Sequence, residues 1–217
     1  MTKTVLSVAM VFAMSVCGSV TAEDLESPFL TDEEHQKIID LLDESHDLLI
    51  GLTSGLTDEQ WTFKQNDKRW SVGECAEHII RSEVILLEFA MNALSKEPNK
   101  DWREATKGKT ELLEQVMPNR SPMGRGGATA PFEIRPSENW SRAKFFEEYY
   151  KIRGKVRAYV ETFDRPIKEY TEEHPFPVFN TLSAHDWIIY VPLHTIRHSR
   201  QMIEVMEDEK YPKGDEK

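Results

Sequence analysis

The sequence predicts an all-α fold, a four-helix bundle, and three observations carry that prediction. Cap signatures, a hydroxyl with a carboxylate three residues on, stand at Thr31-Asp32-Glu33-Glu34, Ser71-Val72-Gly73-Glu74 and Ser183-Ala184-His185-Asp186, each heading a long apolar-periodic segment. The apolar residues of these segments recur at the period of a helix buried on one face. Nowhere does the chain show the apolar-polar alternation of a half-buried strand, an internal repeat or a low-complexity tract. Four helices of roughly 20 to 25 residues with broad apolar faces pack as a bundle, and bundle cores are where facing helices assemble metal sites.

The first 22 residues stand apart from this domain. Lys3, the apolar run Val5 to Val16 and the small-residue site Val20-Thr21-Ala22 read as a secretory signal peptide cut after Ala22, which places the protein in a periplasm or outside the cell. A lipid anchor on Cys17 is the weaker reading, because Val16 precedes the cysteine where a small residue is wanted. The remainder, residues 23 to 217, suits one domain with its core at about 32 to 207.

The first helix opens at the Thr31 cap, carries Ile38, Ile39, Leu41, Leu42, Leu48, Leu49 and Leu52, and runs to about Gly55. The second is launched by Ser71 and spans Cys75 to Leu94, with His78 in its second turn. From 97 to 139 the periodicity fails and Pro118, Pro122, Gly124, Gly126, Gly127, Pro131 and Pro136 mark a long connection, with one helical turn at Lys109 to Val116. A connection this long in a compact domain points to function. Phe145, Phe146, Tyr149, Ile152, Val156, Tyr159 and Val160 give a third helix from Ser141 to about Phe163 despite Gly154. The fourth begins at Ser183 and ends near Met206, before Pro212 and a charged tail.

Composition excludes several partners. The leader carries one of the 27 basic residues and none of the 38 acidic ones, so cleavage takes the net charge from −11 to −12. That sign disfavours nucleic acid and anionic membrane and favours solubility. No segment beyond the leader approaches the roughly 20 apolar residues of a membrane span. Cys17 leaves with the leader, so Cys75 is alone and no intrachain disulfide forms.

The densest chemistry lies in His194-Thr195-Ile196-Arg197-His198-Ser199-Arg200-Gln201. Two imidazoles four residues apart on a helix share one face at about chelating distance. On the same wheel Trp187, Tyr190, Val191 and Gln201 fall within about 60° of His194, whereas His185 lies opposite and belongs to the helix start. His78 shares a mostly apolar inward face with Glu74, Cys75, Ser82, Ile85 and Phe89. A lone core histidine more often hydrogen-bonds than binds metal, so on the residues alone ligand and core roles both stand.

The surrounding residues divide on similar grounds. Cys75 reads as a buried small hydrophobe rather than a reactive thiol, Glu74 as a cap, and Glu77 as solvent-facing. His35, His46 and His174 read as structural or solvated, Trp187 and Phe89 as core. Arg197 suits an anionic substrate or a buttressing salt bridge equally, and Gln201 and Tyr190 are placed to orient a ligand, a bound water or a substrate. No general base stands out.

Trp70-Ser71 with Glu74 and Ala76-Glu77-His78-Ile79, then His174-Pro175, then Trp187 leading into His194-x-x-Arg197-His198-x-x-Gln201, together resemble the DinB-like superfamily of metal-dependent enzymes. The resemblance runs from about residue 32 to 207. It implies up-down-down-up connectivity with a long crossover between helices two and three, and a divalent ion, zinc or nickel, on His78, His194 and His198. Two departures from the pattern stand out: Asn180 replaces a glycine often found after the His-Pro turn, a change asparagine's tolerance of left-handed geometry permits, and export separates this chain from cytoplasmic relatives that work with small thiols. The function so implied is metal-dependent hydrolysis or group transfer on a small molecule; the rival is a binding module that holds an ion or ligand without turnover. A bundle kept for protein interaction is a third reading, and homodimerisation through a helix face is compatible with all of them.

Overall fold

Capping chemistry sets where the helices begin. The computed structural model describes residues 26–120 and 134–213; the leader at 1–22 and the Pro- and Gly-rich centre of the crossover lie outside them. Described in chain order are α1 (Asp32–Thr53), α2 (Asp58–Thr62), α3 (Val72–Leu94), α4 (Trp102–Ala105), α5 (Lys109–Val116), α6 (Arg142–Glu161), a 3-10 turn (Ile167–Glu169), strands β1 (Thr171–Glu173) and β2 (Thr181–Ser183), and α7 (Ala184–Met206). At α1 the Thr31 hydroxyl accepts from the Glu34 amide at 3.1 Å while the Thr31 amide donates to the Glu34 carboxylate at 2.8 Å. The same reciprocal box closes the amino ends of α3 and α7, so all three begin where the sequence places them. Such a cap contributes about 1 kcal/mol.

The protein is mostly helical. The helix α7 packs most extensively on α3 and α1, and α6 lies against the same two. One cluster of the core gathers Leu42, Leu86, Val156, Trp187, Ile188 and Val191, and a second gathers Leu49, Ile79, Phe145, Tyr149, Met202 and Val205. Because neighbours cover it on nearly every side, α7 is buried almost all round, as a central helix must be. Pro192 interrupts its ladder once, since proline offers no N–H to the Ile188 carbonyl.

A charged layer crosses this core. The buried Arg153 of α6 meets the buried Glu83 of α3, and donates to Ser45 Oγ of α1 at 2.7 Å and to the Thr195 hydroxyl of α7 at 3.1 Å. Thr195 in turn donates to Glu83 at 2.8 Å, so the four long helices share one ionic knot.

Three elements depart from the sequence expectation. The short helices α2 and α4 and the β1–β2 hairpin were not foreseen, the strands being three residues each and so too short to display alternation. They pair antiparallel with Thr171 opposite Ser183 and Glu173 opposite Thr181. Asn180 sits in the return at φ 49°, the left-handed geometry its side chain tolerates. The hairpin lays the His174 ring flat on Trp187, with centroids 5.1 Å apart, and on Tyr190 at 5.8 Å. No helix among the described residues is long and apolar enough to cross a membrane.

Candidate metal centre

Helix periodicity delivers three imidazoles to one point. His194 and His198, one turn apart on α7, face His78 on α3, and one ring nitrogen from each lies within 4.8 Å of the others. All three are buried, at 2% exposure for His78, 8% for His194 and 7% for His198. Trp70, just before the α3 cap, packs over the group with its ring centroid 4.8 Å from His78 and 6.2 Å from His198.

Hydrogen bonds decide which nitrogens face inward. The Nδ1 of His78 lies 2.6 Å from the Ile134 carbonyl, which can only accept, so Nδ1 bears the proton. The Nδ1 of His198 likewise donates to Gln201 Oε1 at 2.9 Å. Burial disfavours the imidazolium of all three, pulling His78 down to about 4 and His194 and His198 well below the ordinary value, with the Arg197 charge adding to the depression. Two neutral imidazoles protonated at Nδ1 leave lone pairs on both Nε2 atoms, which face each other at 3.2 Å. Two acceptors at that distance repel unless a cation lies between them. Tetrahedral nitrogens about 2.05 Å from one zinc ion stand about 3.3 Å apart, so the residues present fit a divalent ion. His194 adds a third imidazole whose Nδ1 is buried without a hydrogen-bond partner.

The other candidates sort cleanly. Gln201 orients His198, as its position one turn on suggested. Tyr190 is buried, its ring 6.0 Å from His194 and its hydroxyl pushed up by burial. Arg197 donates through Nη1 to the carbonyls of Met117 and Asn119, tying α7 to the end of α5. His185 stands apart from the cluster, as the wheel required. Phe89 stacks on fully buried Trp187 at 4.5 Å, and Cys75 is a fully buried thiol pushed up by desolvation, so all three are core. His35 reaches the Val160 carbonyl and His46 the Tyr149 hydroxyl, both at 3.0 Å, which makes them structural.

Glu77 corrects the sequence reading. Expected to face solvent, it is fully buried, because the end of the crossover returns over that side of α3. Its carboxylate accepts from the Ser137 amide at 2.9 Å, the Glu138 amide at 3.2 Å and Arg81 Nε at 2.9 Å. Glu77 thereby clasps the segment whose Ile134 carbonyl orients His78. A wheel drawn on one helix cannot see this, and a backbone carbonyl leaves no mark in sequence. The Trp70 contact did have a signal, since the tryptophan stands immediately before the cap of the histidine-bearing helix.

Three buried imidazoles contributed by two facing helices of a mostly helical fold make this a protein with a fitting divalent-metal site. A family model for the DinB superfamily matches residues 41–202, and the chain belongs to that superfamily. It is 24% identical over 154 residues to the uncharacterized protein YuaE of Bacillus subtilis (strain 168), an alignment covering 70% of this chain and 87% of the relative. No solved structure matches significantly.

Proposed function

We propose that the protein holds zinc or nickel on His78, His194 and His198 and acts as a metal-dependent hydrolase or transferase on a small molecule. The observation that carries this reading is the facing of two Nε2 lone pairs at 3.2 Å between buried imidazoles, a geometry a cation relieves. Bound there, the ion supplies Lewis-acid activation of a small nucleophile or substrate oxygen. The chain's own part is positional: Ile134 and Gln201 hold two imidazoles in the ligating tautomer, and Trp70 shields them from water.

The reading includes export by the leader to the periplasm or beyond, and up-down-down-up connectivity. In support of the latter, the connection between α3 and α6 is long enough to return over the length of the bundle. A second reading, ion or ligand binding without turnover, draws on one observation: among the described residues no carboxylate joins the three imidazoles to serve as a base.

Metal analysis of untagged protein tests the proposal. One equivalent of zinc or nickel is expected in the wild type and none after His194→Ala with His198→Ala; equal metal content in both overturns it. Metal-dependent turnover across a panel of esters, amides and thiol adducts then separates enzyme from binding module.

A further inference from the structure

A second cavity, of about 320 Å³, opens between α4, α5 and the amino end of α7. His185 lines it nine residues before His194, about 13 Å along the helix. The residue is 5% exposed, and among the described residues it takes part in no hydrogen bond. A buried polar ring without a partner in a cavity of this size is a ligand-facing group.

Most of the bonding capacity left in the walls is of one kind. Lys168, itself buried, already holds Glu34 at 2.6 Å and Glu26 at 3.3 Å. Asp186 is spent on the α7 cap and on the Thr110 hydroxyl, and Lys37 on Glu114. Arg103 gives Nε and Nη2 to the Glu26 carbonyl, which leaves Nη1. Gly108, at φ 69°, starts α5 without a side-chain cap, and the amides of Thr110 and Glu111 donate to no backbone acceptor. Lys107 lies exposed on the same rim; of the four lining acids, Glu26 and Glu34 are paired with Lys168, Asp186 has no ion pair but accepts from Ser183 and Thr110, and Glu111 has no ion pair among the described residues. Donors therefore outnumber acceptors, and they converge on a helix amino end where negative charge is favoured.

We infer that this cavity binds the oxyanion head of a small molecule, a carboxylate or a phosphate, between the His185 imidazole, the first-turn amides of α5 and Lys107. The site is separate from the three-histidine centre and stands whether or not that centre holds a metal.

The test is a titration of the full chain with inorganic phosphate and, separately, with succinate, following the His185 imidazole resonances by NMR, assigned with His185→Gln. A saturable shift with either probe is expected, and which probe saturates names the head group. Lys107→Ala, on an exposed side chain, weakens binding about tenfold, the worth of one charge-assisted hydrogen bond. Glu111→Gln tightens it by removing a facing charge. A linear drift with both probes, or an affinity that neither variant moves, overturns the inference.

Discussion

Two buried polar layers of one bundle obey opposite rules. In the ionic knot, the Arg153 charge meets the Glu83 charge and two hydroxyl neighbours, Ser45 and Thr195, bond to the pair. At the histidine cluster, reached from Thr195 by one step to His194, like meets like: two lone pairs point at each other and a third ring has a nitrogen with no partner. The first layer is closed in charge by the chain itself, although Glu83 Oε2 and Arg153 Nε keep no hydrogen-bond partner, whereas the second sets two like acceptors face to face. Depth of burial does not distinguish structural from functional polar groups; the sign of what each group faces does.

The largest effect that can break this contrast lies in the closed layer. Arg153→Met alone strands the Glu83 carboxylate in the core and is expected to lower unfolding stability by about 3 to 5 kcal/mol, while Arg153→Met with Glu83→Met recovers most of the loss. Urea unfolding of the single and double variants measures both, and a double variant as weak as the single one removes charge compensation as the explanation.

A smaller effect is expected in the open layer. Gln201→Ala frees His198 to turn and to change tautomer, so zinc affinity falls about 10- to 100-fold while the metal-free fold melts where the wild type does. Competition against a zinc chelator reads the first quantity and calorimetry of the metal-free protein the second. An unchanged affinity would show that Gln201 only fills space.

The smallest effect sharpens the comparison with a half-buried imidazole outside the cluster. His174 accepts the Phe176 amide at Nδ1, 2.9 Å away, and burial pulls it from 6.5 down to about 4. The fold therefore refuses a proton that the unfolded chain takes up. Stability is complete above the free value and declines as pH falls from about 6.5 towards about 4. His174→Gln removes this share and gives a shallower fall in the urea midpoint between pH 7 and pH 4.5, a slope that metal-free protein shows directly; an unchanged slope assigns the acid sensitivity elsewhere.

What could be read from the chain depended on whether the signal was local. The boxes at Thr31, Ser71 and Ser183 located three helix starts because both partners of each lie within four residues. His194 and His198 were legible as a pair for the same reason, whereas bringing His78 to them took the bundle. The helix α2 has the same kind of cap, Thr57 with Gln60, but no long apolar-periodic run follows it to mark a helix. Glu77 was placed on the wrong side because its burial depends on a segment some 60 positions away. The cavity at His185 is formed by chain segments that only tertiary packing brings together.

The span between the metal-site histidines also orders the life of the molecule. His78 precedes His198 by 120 positions, and α7 is the last helix among the described residues. A nascent chain that has not yet released α7 carries a single ligand imidazole, too few to retain an ion against water. On the proposed function, loading therefore waits for α7 to pack on α3, and the ion comes from the compartment in which that packing takes place.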